Sequence, residues 1–461
     1  MKDMKVNYYT FGEELLNTLL EGLYPGSLLV ILGHPGAGKT TFVAKMVYEN
    51  ILKYNEKGVY ISLAESKEKF TTFMSRLGLD FNGLAERKLF EYIHMPTLSG
   101  QELLESITEL LSRKIVEEGY KIATVDSITP ILNVLTTDRA RSYLHAALYS
   151  LASASKGLIV LIADLPYGAE TIDLKGLEFI ADAIIVFRFR TERGLIARYM
   201  EIRKFRGREI PVSQIPFTMI ENYGIRTLVA PKLEDIPAHT LGRVLRSKCS
   251  ELVWEEIPRG TAIGIVIGRG ASPINALLLL LNTIIENNIP FGFISFRLPS
   301  TEIRSLIASL ARYMGLNQDE VLKLIKIAQG LNPSIHTLNE VIGMIRLELE
   351  KDIGTLVLHG VEMLYLYYPE KMVDRMLRDL ILYARLKGVS IFEIVDGVYT
   401  RKQLSRYSIV HEIHITEEHK EIHKVYRRIP LVIGDKLIGI KPRYIYEDEI
   451  IRCLFEDKKS L

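Results

Sequence analysis

The stretch GHPGAGKT runs from Gly33 to Thr40, and 235 residues after its first glycine the chain reads GRGASPIN from Gly268. Both lie between an apolar strand-like run and an apolar helix-like run. No other feature constrains the fold as much, because the surroundings recur with it. EGLYPGSLLVILG (21–33) is echoed by EEIPRGTAIGIVIG (255–268), with one residue inserted. YISLAES (60–66) is echoed by FISFRLP (293–299), and IATVDSI (122–128) by TLVLHGV (355–361), both 233 residues later. Three matches in order at nearly constant spacing predict a duplicated domain. A chain of 461 residues suits two to four domains on size alone. The repeat selects two, at about 1–230 and 241–461. They are joined by a linker at 231–240, within VAPKLEDIPAHT, which has two prolines and no periodicity.

Strand-like and helix-like segments alternate, which predicts an α/β fold with a mostly parallel sheet flanked by helices. SLLVILG (27–33), KGVYISLAE (57–65), YKIATVDS (120–127), KGLIVLIAD (156–164) and ADAIIVFRF (181–189) read as strands. Their nearly continuous apolar runs suit a sheet covered on both faces. TTFVAKMVYENILKYN and GQELLESITELLSRKIVEEG carry apolar residues at helical spacing between them.

The first loop meets the GxxxxGK[ST] pattern in its required setting, strand before and helix after. Gly33, Gly36 and Gly38 let the backbone turn so that successive N–H groups bind phosphate oxygens. The whole stretch Gly33-His34-Pro35-Gly36-Ala37-Gly38-Lys39-Thr40-Thr41 is the expected nucleotide cradle, with the next helix presenting its positive end. Lys39 is expected on the β- and γ-phosphates and the Thr40 hydroxyl on Mg²⁺. Asp126 ends the strand KIATVD, at the edge where ligands bind in open α/β sheets, and is expected to hold that Mg²⁺ directly or through water. Glu65 ends YISLAE and is placed to activate the attacking water as a general base.

These residues, taken with their neighbours, resemble the KaiC-like branch of the RecA superfamily of ATPases. FGEELLNTLLEGLYPGSLLVILGHPGAGKTT resembles the family's lead-in helix and phosphate loop. GVYISLAESKEKFTTFMSRLGLD, ATVDSI and ADAIIVFRFRTERGLIARYMEIRKFRGREIPVSQIPFTMIENYGI resemble its acid-tipped strand, its second magnesium motif and its closing hairpin. The resemblance covers about 10–228. It implies two tandem RecA-like P-loop domains, and a slow ATPase using ATP and Mg²⁺. It also implies head-to-tail assembly of a homo-oligomer, a hexameric ring by resemblance, and regulation through a protein partner. Lys204 and Arg206 match the family's Lys-x-Arg, a pair implied to reach the γ-phosphate held by the neighbouring subunit. One departure is visible: the family's paired glutamates read Ala64-Glu65 here. An ATP-binding switch that does not hydrolyse is the competing reading, followed by a recombinase-like ATPase stimulated by single-stranded DNA. The balance of 58 Lys+Arg against 56 Asp+Glu disfavours a nucleic-acid partner.

The second loop has lost the chemistry. On the repeat, Pro273 stands at Gly38, Ile274 at Lys39, Asn275 at Thr40, Leu298 at Glu65 and His359 at Asp126. The second domain is expected to be a degenerate repeat without a working phosphate loop, a pseudo-ATPase. In HEIHITEEHKEIH, a hairpin could bring His414 and His423 together, but the segment aligns with the first domain's hairpin and a solvated hairpin is expected, not a metal site. Cys249 and Cys453 are expected to be ordinary thiols in a reducing compartment. The charged MKDMKVNYYTFGEELL shows no apolar leader, and INALLLLLNTII is too short to span a bilayer. The expected location is therefore the cytoplasm.

Overall fold

A computed structural model describes residues 8–95, 100–135, 137–237, 244–397, 399–428, 431–433, 436–439 and 441–456. The chain divides into two compact units, 1–229 and 230–461. Residues 238–243, within and just after the expected linker, and the first seven residues of the chain lie outside the described residues.

The strands of the first unit are β1 (Ser27–Gly33), β2 (Gly58–Ser62), β3 (Phe90–His94), β4 (Ile122–Asp126), β5 (Leu158–Asp164), β6 (Ala183–Glu192), β7 (Leu195–Phe205), β8 (Gln214–Ile220) and β9 (Gly224–Thr227). They form one sheet in the order β3-β2-β4-β5-β1-β6-β7-β8-β9. Pairing is parallel from β3 through β6 and antiparallel from there on. Every residue of β1 is buried, as its unbroken apolar run requires of a central strand. Helix Lys39–Tyr54 follows and buries Phe42, Val43, Met46, Val47 and Ile51. Each such apolar side chain contributes roughly 1.5–3 kcal/mol on burial. The helix ends at Asn55 in the left-handed region, a common stop.

Two boundaries differ from the sequence reading. β2 ends at Ser62, so Glu65 belongs to the loop beyond it rather than to the strand end. The chain leaves the sheet there because the Ser62 hydroxyl accepts from the Ala64 and Glu65 N–H groups, a local bond that competes with the ladder. β3 was missed, since its short FEYIH lies at the sheet's outer edge and is only alternately buried.

The second unit repeats the order. Its main sheet runs Ile325–Gly330, Phe291–Ser295, Thr355–His359, Ser390–Asp396, Ala262–Ile267, Ile409–Ile415, Glu421–Arg427, Arg443–Tyr446. Again the first six are parallel and the last two join antiparallel. Both units are RecA-like α/β layers. INALLLLLNTII lies in the helix Ile274–Glu286, buried over most of its length. No helix among the described residues is long and apolar enough to cross a membrane.

Two expectations fail in this unit. Cys249 and Cys453 are not free thiols: they form a disulfide, with Cα atoms 5.7 Å apart across 204 residues of sequence. The cause is that helix Lys248–Trp254 packs on the C-terminal helix Glu447–Glu456, a tertiary contact that sequence spacing does not reveal. The histidine hairpin is not solvated either. His411 and His423 are fully buried, whereas His414 is exposed. Register explains the choice: His423 pairs with Ile413, so it shares a face with His411 and not with His414. Among the described residues no group of three or more His, Cys, Asp or Glu side chains is placed to hold a metal ion, there or elsewhere.

Candidate nucleotide site

The parallel strands bring Gly33, Asp126 and Asp164, with Ser62, to one edge. Gly33 pairs with Asp164, Asp126 with Ile162, and Ser62 with Asp126, so β1, β2, β4 and β5 all finish together. At Gly33 a side chain would strike the backbone of Phe187 on β6, so only glycine permits this approach. Gly38 has φ +104 and caps the helix that begins at Lys39, a conformation costly for other residues. The loop from Gly33 to Thr41 therefore turns directly from the central strand into a helix N-terminus, the geometry that concentrates backbone N–H groups on an anion.

The Lys39 side chain is nearly enclosed. Its Nζ donates to Gly33 O at 2.9 Å and His34 O at 3.1 Å, and pairs with Asp164 Oδ1 at 2.9 Å. His34 bonds through Nδ1 to Leu165 O at 3.3 Å and lies parallel to the exposed Tyr167 ring. Thr40 Oγ1 donates to Asp126 Oδ2 at 2.8 Å, and the Tyr60 hydroxyl donates to the same oxygen at 2.7 Å. Burial pushes the Asp126 carboxyl above its usual range; the Tyr60 and Thr40 hydrogen bonds work against that, while neighbouring Asp164 adds to it. A hydroxyl beside a carboxylate is the hard-oxygen donor set that suits Mg²⁺. Both residues lie at the sheet edge that carries the loop.

Glu65 lies in the loop after β2. Its N–H is held by Ser62 Oγ at 3.0 Å, its carbonyl accepts from the Tyr92 hydroxyl at 2.8 Å, and its carboxylate pairs with Lys69 at 3.3 Å. Lys204 and Arg206 are not brought to this edge. Arg206 N–H bonds to Asp182 O, and Asp182 N–H bonds to Leu28 O, which puts Arg206 level with the start of β1. Five residues of strand then separate it from Gly33, roughly 16 Å. The Lys204 ammonium donates to Glu178 O and Phe179 O, and the Arg206 guanidinium donates to Phe179 O and pairs with Asp182. Burial, with Arg206 close by, lowers the Lys204 pKa.

Three residues at the site escaped the sequence reading: Asp164, Tyr60 and Ser62. Asp164 carried a usable signal, because it ends the strand KGLIVLIAD as Asp126 ends its own. Tyr60 carried none, since its partner lies across the sheet, and Ser62, whose hydroxyl accepts from Ala64 and Glu65 just beyond it, reads in the string as one more strand residue.

The second unit superposes on this pattern by hydrogen bonds alone. Ser295 Oγ accepts from the Arg297 and Leu298 N–H groups as Ser62 does from Ala64 and Glu65, and Ser295 pairs with His359 as Ser62 does with Asp126. Pro273 caps helix Ile274–Glu286 where Gly38 caps its counterpart. Arg297, at the Ala64 position, pairs with Glu362 at 2.7 Å and Asp396 at 2.9 Å. Asn275 donates to Glu421 and Glu447, both at 2.9 Å. An open cleft of about 690 Å³ nearby is lined by Glu417, Glu418, Glu421, Glu447, Asp448 and Glu449, with Lys420 the one cation lining it among the described residues. Such a wall repels phosphate.

Comparison with known proteins agrees with the first unit's geometry. The family model described as the KaiC ATPase matches residues 10–232. The circadian clock protein KaiC2 of Synechocystis sp. is 27% identical over 215 residues, 45% of this chain and 37% of its own length. The circadian clock oscillator protein KaiC of Synechococcus elongatus is 27% identical over 214 residues, 44% of this chain and 40% of its own. That of Thermostichus vulcanus is 26% identical over 225 residues, 46% and 42% respectively. The chain thus spans about two fifths of the length of these relatives. With the phosphate loop, the acidic strand ends and the RecA-like sheet order in one unit, residues 10–232 belong to the KaiC family of ATPases.

Proposed function

We propose that the first unit binds ATP with Mg²⁺ and hydrolyses it slowly, and that nucleotide state sets which regulatory protein the assembly engages. In this reading the loop from Gly33 to Thr41 cradles the phosphates. Lys39 exchanges its carbonyl partners and Asp164 for β- and γ-phosphate oxygens. Thr40 and Asp126 hold the cation, which supplies charge neutralisation at the phosphates when bound. Glu65 orients and deprotonates water, and the lone glutamate beside exposed Ala64 fits a low rate. The observation that carries the reading is the convergence of Gly33, Asp126 and Asp164 on one sheet edge, with Thr40 hydrogen-bonded to Asp126.

The chain assembles head to tail into a ring, hexameric by its resemblance to KaiC, with Lys204 and Arg206 completing the neighbour's site. Their positions along the strands, roughly 10 Å from their own loop for Lys204 and roughly 16 Å for Arg206, support a role in trans. The second unit binds no nucleotide, since Pro273, Ile274, Leu298 and His359 offer neither cradle, cation ligand nor base. No broad basic stripe favours nucleic acid. A cytoplasmic setting has to be one that tolerates protein disulfides, as those of hyperthermophiles do.

The test is complementation. Lys39→Ala has a dead cradle and an intact Lys204–Arg206 pair, the arginine finger of this reading, and Arg206→Ala the reverse. Each alone is expected to lose ATP turnover, and the two co-assembled from unfolded mixtures are expected to recover part of it. No recovery, with wild type refolding to full activity, would place the finger outside the neighbour's site.

A further inference from the structure

Tyr60 is fully buried in the middle of β2, with its ring against Phe70 and parallel to Tyr92. Packing of this kind needs only a ring. The hydroxyl is a separate matter, because a buried phenol has to find a partner. It finds Asp126 Oδ2 at 2.7 Å, the oxygen that also accepts from Thr40.

The second unit separates the two jobs. The offset of 233 puts Phe293 at Tyr60 and His359 at Asp126, and the sheet registers agree: Tyr60 lies two residues before Ser62, Phe293 two before Ser295, and each serine pairs with the residue in question. Phe293 keeps the burial, and its ring lies 6.0 Å from that of His359. The aromatic ring is present in both units, whereas the hydroxyl is present only where a carboxylate stands to receive it. Ser295 Oγ meets His359 Nδ1 at 2.9 Å instead, so the histidine is oriented from another side.

We infer that Tyr60 is a positioning residue for Asp126, whose hydroxyl locks the carboxylate in the orientation that serves the water shell of a nucleotide-bound divalent cation. This rests on the reading of the site as one for Mg²⁺ and ATP. With Oδ2 taking both hydroxyls, the carboxylate cannot rotate about its Cβ–Cγ bond without losing two hydrogen bonds. Oδ1 is thereby held in place as well. Thr40 alone would hold one edge and leave that rotation partly free.

The experiment measures ATP affinity by calorimetry on the full chain, first in EDTA and then across a Mg²⁺ titration. Tyr60→Phe is expected to bind ATP in EDTA as wild type does, and to need about tenfold more Mg²⁺ for half of the magnesium-dependent gain, the scale of one lost hydrogen bond to a charged acceptor. Tyr92→Phe removes a neighbouring hydroxyl that bonds to Glu65 O and is expected to leave the Mg²⁺ requirement unchanged. Phenylalanine already occupies the equivalent buried place at Phe293, and the variant's melting temperature is expected to stay within a few degrees of wild type. An unchanged Mg²⁺ requirement in Tyr60→Phe would overturn the proposal. So would weakening of ATP binding in EDTA by the same factor, which would mark a packing role. A wild-type chain with no magnesium-dependent gain would overturn the reading of the site, and the role of Tyr60 with it.

Discussion

At Glu65 the backbone is fixed from two sides before the carboxylate is considered: Ser62 Oγ holds its N–H and the Tyr92 hydroxyl holds its carbonyl. A side chain on a tethered loop can be aimed, and the surface pair with Lys69 is the kind of contact that a substrate water displaces at little cost. Glu65→Gln keeps the size and the loop bonds and removes only the basic oxygen. Phosphate release is expected to fall by about 100-fold or more, with the dissociation constant for ATP within a factor of about three of wild type. A full rate in this variant would take Glu65 out of the chemistry. Residues of this sort were half legible in the sequence. The loop Gly33–Thr41 could be read because its chemistry is contiguous, nine residues between a strand and a helix. Asp126 and Glu65 could be read as acids near strand ends. Tyr60 could not, since its partner lies 66 residues away and is reached only through the register of β2 on β4.

Among elements, the hairpin of strands Ile409–Ile415 and Glu421–Arg427 shows what periodicity reveals and what it leaves open. Alternation puts His411 and His414 on opposite faces, but the register that buries His411 with His423 depends on the turn. The burial creates a directed chain of hydrogen bonds. Trp254 Nε1–H can only donate, to His411 Nδ1 at 3.1 Å, so His411 carries its proton on Nε2 and donates to His423 Nδ1 at 2.7 Å. His423 Nε2–H then donates to Glu421 Oε1 at 2.8 Å, and Glu421 also accepts from Asn275 and the Ser272 N–H. An added proton on His411 would face the Trp254 N–H. Burial, with His423 beside it, holds the His411 pKa well below its ordinary value, while the hydrogen bond from His423 is the leading influence that lowers Glu421 against burial. For a histidine whose folded pKa is depressed, the unfolded chain binds the proton that the native one refuses. The stability is complete above about pH 6.5 and is lost as pH falls below it, by up to about 1.4 kcal/mol per pH unit for this group. Trp254 is the sole tryptophan and touches His411, so its fluorescence reports this unit. Urea midpoints followed this way are expected to fall between pH 7.5 and 5.5, and less steeply in His411→Phe. Equal slopes would show that His411 is not the group responsible.

For the molecule as a whole, the two units keep one framework and differ at the edge where chemistry would occur. The serine turns at Ser62 and Ser295 coincide, but the helix that Gly38 enters at φ +104 is entered by Pro273 at φ −74, without an N–H, so the second unit differs in its loop and side chains rather than in the sheet. Fold class was legible for that reason: apolar runs at a constant offset survive when site residues do not. What the strings left hidden is that the second edge has been filled from within, with Arg297 between Glu362 and Asp396 and Asn275 between Glu421 and Glu447. Asp126 pairs with Ile162 and His359 with Ile394, and Asp164 and Asp396 each follow two residues on, so an acid persists there while its cation has changed from the loop lysine to Arg297. A site closed by its own ion pairs, beside a cleft lined with carboxylates, supports the reading of the second unit as one that takes no triphosphate. Equilibrium binding of a slowly hydrolysed ATP analogue is therefore expected to saturate at one per chain, and Lys39→Ala is expected to abolish high-affinity binding altogether. Two nucleotides per wild-type chain, or one remaining in Lys39→Ala, would mean that the second unit binds after all. One per wild-type chain and none in the variant would leave the second unit to act through its shape and its surfaces.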